Sequence, residues 1–255
     1  LVACEDPRTT RKWTSAYGLA PRLATYHEPN AARVRPGLIA QIKAGAAVAL
    51  VSDAGTPLIS DPGYKLVRAA IDGGLSVTAV PGASAPLAAL MVSGLPSDRF
   101  LFAGFLPPKT EARRKALAEL RAVPATLIVF ESTRRLAESL ADMAATLGPR
   151  PAAVARELTK LHEEVRRGTL DQLAADYAAA EAPKGEVVVV IGPPGARDTA
   201  LDETEIDARL SAALAAGAAL RDAVAAVAAE AGQPRQSVCS RALALTRASD
   251  EAGEP

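Results

Sequence analysis

Three glycine-bearing turns carry the residues best suited to grip a ligand at the ends of strands. Ser52-Asp53-Ala54-Gly55-Thr56-Pro57 follows the apolar run 47–52, Pro81-Gly82-Ala83-Ser84 follows 75–80, and Pro183-Lys184-Gly185-Glu186 leads into 186–191. Asp53 offers an acceptor at a strand end, Gly55 permits a positive φ that lets backbone approach a ligand, and Pro57 stiffens the turn. The small residues before Ser84 leave room for a flat ring. Each turn also reads as an ordinary connection, with Asp53 bonding turn amides and Ser84 capping a helix. Four carboxylates, Glu5, Asp6, Glu131 and Glu157, are candidate general bases, and each can equally orient an arginine. Arg8, Arg134 and Arg156 either bind phosphate or pair with those acids. His27 and His162 are isolated, and Cys4 and Cys239 make neither a metal site nor a disulfide framework, so no metal is expected. No Walker-type phosphate loop and no G-x-G-x-x-G after a strand occurs.

The elements that must position these turns alternate between strand and helix. Strand patterns fall at 1–4, 22–26, 47–52 and 75–80, with helices at 10–17, 34–43, 64–71 and 84–93 between and after them. Repeated β-α-β implies a mostly parallel sheet, and a run such as Val48-Ala49-Leu50-Val51 reads as a strand covered on both faces. The turn-rich stretch 95–108 marks a boundary. A second unit follows, with helices 111–121, 134–146 and 170–179, strands 126–130, 152–156 and 186–191, and a hairpin strand at 163–167. Gly192-Pro193-Pro194-Gly195 looks like a linker. Beyond it lie three helical stretches at 203–215, 219–230 and 235–247, the last two joined by Ala231-Gly232-Gln233-Pro234 in the manner of a helix-turn-helix. The expected division is 1–97, 98–195 and 201–250.

The 29 basic and 29 acidic side chains cancel, which excludes a protein that coats nucleic acid non-specifically. A local basic patch still suffices to engage phosphates. The candidates are Arg113-Arg114-Lys115, Arg134-Arg135, Arg166-Arg167, and in the tail Arg235, Gln236, Ser240, Arg241 and Arg247. Each cluster reads equally as a solvated helix face, and the tail as a bundle for packing or dimer contact. Two cysteines fit a reducing cytoplasm, and no apolar run approaches the roughly 20 residues that span a membrane. The chain opens on Leu-Val-Ala-Cys, a strand already under way, so an N-terminal piece is expected to precede it.

Taken in order, these turns resemble the tetrapyrrole methylases, the class III methyltransferases. Ser52 to Pro57 followed by Asp61-Pro62-Gly63 resembles one branch, ribosomal RNA small subunit methyltransferase I. Gly94-Leu95-Pro96-Ser97-Asp98-Arg99-Phe100, Gly104-Phe105-Leu106-Pro107, Phe130-Glu131-Ser132-Thr133-Arg134-Arg135, Ala155-Arg156-Glu157-Leu158-Thr159-Lys160 and Lys184-Gly185-Glu186 agree with it. The resemblance spans residues 1 to about 192. It departs in three places: the branch's opening strand and Pro-Thr-Pro-Ile-Gly-Asn-Leu loop are absent, Pro7 replaces a threonine, and Pro29 replaces a histidine.

The resemblance implies two α/β domains with a cofactor cleft between them, a C-terminal helical extension, and a homodimer. The implied activity is S-adenosylmethionine-dependent 2'-O-methylation of a cytidine in 16S rRNA of the small ribosomal subunit. The implied cofactor contacts are Asp53, Ala54, Gly55, Pro57, Ser84, Phe130, Glu131, Leu158, Lys184 and Gly185. Glu131, Glu5 and Asp6 are the candidate catalytic groups. Arg8, Arg113, Arg114, Arg134, Arg135, Arg156 and Arg241 are the expected RNA contacts. Two rival readings stand beside this one: a precorrin-type small-molecule methyltransferase of the same fold, and a non-catalytic RNA-binding protein. Arg-rich motifs and a helical tail favour an RNA substrate over a tetrapyrrole.

Overall fold

The computed structural model describes residues 1–195, 203–231 and 233–251, with side chains described as far as residue 245. It shows two sheets and a helical tail. The first sheet has the order β2-β1-β3, all parallel, from Val2–Cys4 (β1), Leu23–Thr25 (β2) and Ala49–Val51 (β3). The helices α1 (Pro7–Ala16), α2 (Glu28–Lys43) and α3 (Tyr64–Asp72) connect and flank these strands. α1 starts at Asp6, whose side chain accepts from the Arg8 amide, with Pro7 at the first helical position. α2 begins six residues before the apolar periodicity does, because the Asn30 side chain accepts from the His27 amide at the N-cap and Pro29 suits the first turn.

Two expectations for this unit fail. Residues 75–80 form no strand, and Val77 and Val80 lie exposed. β3 is half-buried rather than covered on both faces. The reason is shared: β3 pairs with β1 alone, and no described strand supplies the neighbour that 75–80 needs.

The second sheet has the order β4-β5-β8-β6-β7. Its strands are Phe100–Phe105 (β4), Thr126–Ser132 (β5), Pro151–Arg156 (β6), Glu164–Thr169 (β7) and Glu186–Ile191 (β8). It is mixed: β4 and β5 run parallel, and the other neighbours run antiparallel. β4 falls where the sequence shows only a turn-rich boundary. A bulge shifts its register between Phe102 and Gly104, breaking the alternation that would have revealed it. The helices α5 (Thr110–Leu120), α6 (Leu136–Leu147) and α7 (Leu170–Ala179) cover one face around Leu117, Leu127, Val129, Leu140, Met143 and Val189.

The opposite face is covered by α4 (Ala85–Ser93), which precedes the boundary in sequence. Ala89 and Leu90 pack on Ile128, Ala155, Val188 and Val190. Arg167 on β7 donates to the carbonyls of Val92 and Ser93, closing the C-terminal end of α4 with a cation. So the helix that starts at Ser84 is fastened to the second sheet, and Arg167 serves it rather than standing free in a basic patch.

The tail comprises α8 (Glu203–Ala215), α9 (Leu220–Ala231) and α10 (Arg235–Glu251) around Ile206, Leu210, Val227, Val238 and Ala242. No described helix is long and apolar enough to cross a membrane.

Candidate active site

The carboxyl ends of β1 and β3 lie side by side. They carry Glu5-Asp6 and Ser52-Asp53, and the Asp6 amide donates to Asp53 Oδ1 at 3.2 Å. The turn after β3 is held from within by Ser52 Oγ, which donates to the carbonyls of Ala54 and Gly55. Gly55 takes a φ of 71°, as its place in the turn predicted, and Leu58 and Ser60 also adopt positive φ at 73° and 61°. Non-glycine residues rarely hold that conformation unless their surroundings fix it. Thr56 Oγ1 donates to the Ala83 carbonyl at 2.7 Å, joining the first turn to the second across 27 residues. Ser84 stands at the N-cap position of α4, but its side chain makes no capping bond. Among the described residues, no hydrogen bond occupies the amides of Ala54, Gly55, Gly82 and Ala83.

The second sheet meets this loop. Ser60 Oγ lies 3.5 Å from the position a Cβ on Gly104 would take. Strand register then carries the rim onward: Phe105 sits opposite Phe130, Glu131 and Arg156 each opposite Val187, and Ser132 opposite Glu186. The Phe130 ring is packed against Phe102 and Phe105 at 4.9 and 5.3 Å between centroids. At the far end Glu157, at a φ of 48°, accepts from the Glu186 amide and from Lys160, both at 2.9 Å. Lys160 also reaches Glu186 at 2.8 Å, and Arg156 donates to the Lys184 carbonyl at 3.2 Å. The bond from Lys160, then that from the Glu186 amide, holds Glu157 below the usual carboxylate range. Leu158 turns inward against the α4 face of the sheet.

The candidate bases differ sharply. Glu131 is buried and fully engaged. Its carboxylate accepts from the Ser132 amide at 2.6 Å, from the Ser139 hydroxyl, and from Arg135 at 2.8 Å. Such a group braces the end of β5. Glu131→Gln is expected to cost about 1–3 kcal/mol through the loss of charged bonds, while kcat stays within a few-fold. Thermal denaturation beside single-turnover kinetics checks this, and a loss of turnover at full stability restores Glu131 as the base.

Asp6 is pulled down to about 2, chiefly by the hydrogen bond from the Arg8 side chain and next by the Arg8 amide. A carboxyl that acidic is a weak proton acceptor at neutral pH. Its ionised form favours the folded state. The resulting stability is therefore complete above the ordinary value of 3.8 and is lost as pH falls towards 2. Arg8→Ala is expected to move the midpoint of the Asp6 carboxyl up towards 3.8, read by carboxyl-carbon NMR titration.

Asp61 was not singled out as a site residue by sequence, though it begins the Asp61-Pro62-Gly63 signature. It shares the cluster with Ser52, Asp53 and Glu5. Burial, then the charges of Glu5 and Asp53, raise its pKa, the direction a general base requires. Thr56 and Ser60 were likewise missed. Nothing in their local sequence announces a partner 27 or 44 residues away.

The arginines sort by burial. Arg113 is a correction: it is fully buried, bonded to Asp142 at 2.6 Å and to the Pro108 carbonyl, and so is unavailable to RNA. Arg114 is half-exposed and shares Asp142. Arg135 pairs with Glu131, Arg156 with Glu164, and Arg8, largely exposed, with Asp6. Arg134 is exposed. Arg241 in the tail is held by Asp207 at 2.6 Å and Glu203 at 2.7 Å. The side chain of Arg247 lies outside the described residues.

Strand ends of the two sheets thus lie along one rim, with glycines and positive-φ turns on it. The model for Tetrapyrrole (Corrin/Porphyrin) Methylases matches residues 2–174, and the chain belongs to that family. Relatives narrow it further. The chain is 54% identical to ribosomal RNA small subunit methyltransferase I of Mesorhizobium japonicum over 98% of its own length and 85% of that protein's. It is 50% identical to the Erythrobacter litoralis protein of the same name, over 96% of this chain and 85% of that one. Among solved structures, diphthine synthase superposes with a TM-score of 0.56 at 16% identity, covering 81% of this chain and 82% of that one. The methyltransferase CobJ gives 0.50 at 18% identity, covering 75% and 92%. The structural likenesses show the fold alone, and the close relatives do not favour the precorrin reading. The chain is a methyltransferase of this fold.

Proposed function

We propose that this protein transfers the methyl group of S-adenosylmethionine to the ribose 2'-hydroxyl of a cytidine in 16S rRNA of the small ribosomal subunit. It does so in the cytoplasm and as a homodimer. The relatives named above carry the substrate half of this reading. The joined turns carry the cofactor half: four unoccupied backbone amides stand beside residues too small to block a flat nucleoside. That supply of donors and space fits an adenosyl group. Asp53, Ala54, Gly55, Pro57, Ser84, Phe130, Leu158, Lys184 and Gly185 would hold it, the Phe130 ring being fixed by its packing on Phe102 and Phe105.

The bound cofactor supplies an electrophilic methyl on a sulfonium. The protein's share is to hold the ribose oxygen in line with that methyl and to take its proton. Glu5 and Asp61 stand ready for the proton. Glu131 and Asp6 serve by holding β5 and the start of α1. Arg134, exposed, and the ion-paired Arg8, Arg135 and Arg156 are the cations that would face RNA phosphate around the rim, with the half-exposed Arg114 on α5 beyond it. We divide the chain into units 1–97, 98–195 and 201–250, on the grounds that each sheet draws its described strands from one stretch and the tail has its own core, with α4 of the first stretch packed on the second sheet.

Labelled S-adenosylmethionine, offered with 30S subunits and separately with a precorrin, tests the proposal. Label is expected in 16S rRNA on a ribose that resists alkaline cleavage. Label on the tetrapyrrole alone, or on a base, would sink it.

A further inference from the structure

Among the described residues of the tail, the arginines divide into paired and unpaired groups. Arg209 is neutralised by Glu230 at 2.7 Å, and Arg241 by Asp207 and Glu203. Arg221 at the start of α9 and Arg235 at the start of α10 make no ion pair among the described residues, and both are exposed. Asp222, the acid adjacent to Arg221, pairs with neither. The two arginines flank a groove of about 360 Å³ between α9 and α10, lined also by Leu220, Val224, Cys239 and Gln236. Leu220, Val224 and Cys239 form an apolar floor, and Gln236 adds an amide at the edge.

We propose that this groove binds single-stranded RNA, with phosphate on Arg221 and Arg235 and a base laid on the apolar floor. This rests on the reading of RNA as substrate and goes beyond it by assigning the tail a site of its own, away from Arg241. Charge complementarity chooses the occupant: two unpaired guanidiniums favour a polyanion, and an apolar floor between them favours one that also offers a flat face. Gln236 can donate to and accept from a base edge.

The chain provides its own probe. Cys239 lines the groove and is partly exposed, whereas Cys4 is fully buried and serves as an internal control. In the full-length chain, a short single-stranded RNA oligonucleotide is expected to slow alkylation of Cys239 by N-ethylmaleimide several-fold. The double variant Arg221→Glu, Arg235→Glu is expected to lose that protection and to bind the oligonucleotide about tenfold less tightly near 0.1 M salt. Two lost phosphate contacts also lower the log–log salt slope by about 1.4. With 30S subunits the same variant is expected to raise KM and leave kcat unchanged. Unchanged RNA affinity in the variant, or protection by polyglutamate but not by RNA, overturns the assignment. If wild-type protein methylates 30S subunits and the variant does so with unaltered KM, the groove has failed and the rRNA reading stands. If wild-type protein does not methylate them, the rRNA reading has failed, and Cys239 protection still decides the groove.

Discussion

Asp142→Ala is expected to unfold the unit built on the second sheet, or to leave it barely folded at 25 °C. Asp142 and Arg113 are both buried between α5 and α6, with Arg113 fully so. The Asp142 carboxylate takes Arg113 on one oxygen and Arg114 on the other. Removing it leaves the Arg113 guanidinium in the interior with the Pro108 carbonyl, the Thr110 hydroxyl and, at 3.9 Å, the exposed Glu138 carboxylate for partners. Breaking one side of a buried pair costs about 3–5 kcal/mol, a large share of the roughly 5–15 kcal/mol that holds a domain together. Arg114→Ala removes a half-exposed partner and should cost less than about 1 kcal/mol. Urea unfolding of the two variants side by side checks the ordering. Equal losses would mean that burial does not set the strength of this cluster.

Gly185→Val is expected to abolish cofactor binding, with a stability loss of about 2 kcal/mol or more, because two separate constraints meet there. Gly185 has a φ of 106°, which a β-branched residue adopts only under strain. A Cβ at that point would also overlap the Glu157 side chain. Glu157 cannot step aside cheaply, since it accepts from the Glu186 amide and Lys160, and those bonds tie the ends of β6 and β8 together. Displacing it therefore reshapes the rim proposed to hold the adenosyl group. Calorimetric titration with S-adenosylhomocysteine, beside thermal unfolding, measures both effects. A variant that binds normally would show that this end of the rim lies outside the cofactor site.

The amino-acid sequence by itself determined the local pieces of this protein. Apolar runs and glycine stops located α7 and β8 to the residue, and the ordered turns pointed to the family. Those signals lie in the chain's own periodicity and φ requirements, which need no distant partner to be read. Tertiary structure decided which charged groups remain available. Arg113 and Arg134 look alike in sequence, yet packing against α6 buries the first and leaves the second in water. Glu131 resembles a free base until α6 brings Ser139 and Arg135 onto its carboxylate. The strand at 100–105 was hidden by its own bulge, and 75–80 failed to become a strand for want of a neighbour. Pairing, burial and strand addition are relations between residues far apart in the chain. Folding alone sets those distances, and at short range electrostatics and desolvation turn them into function.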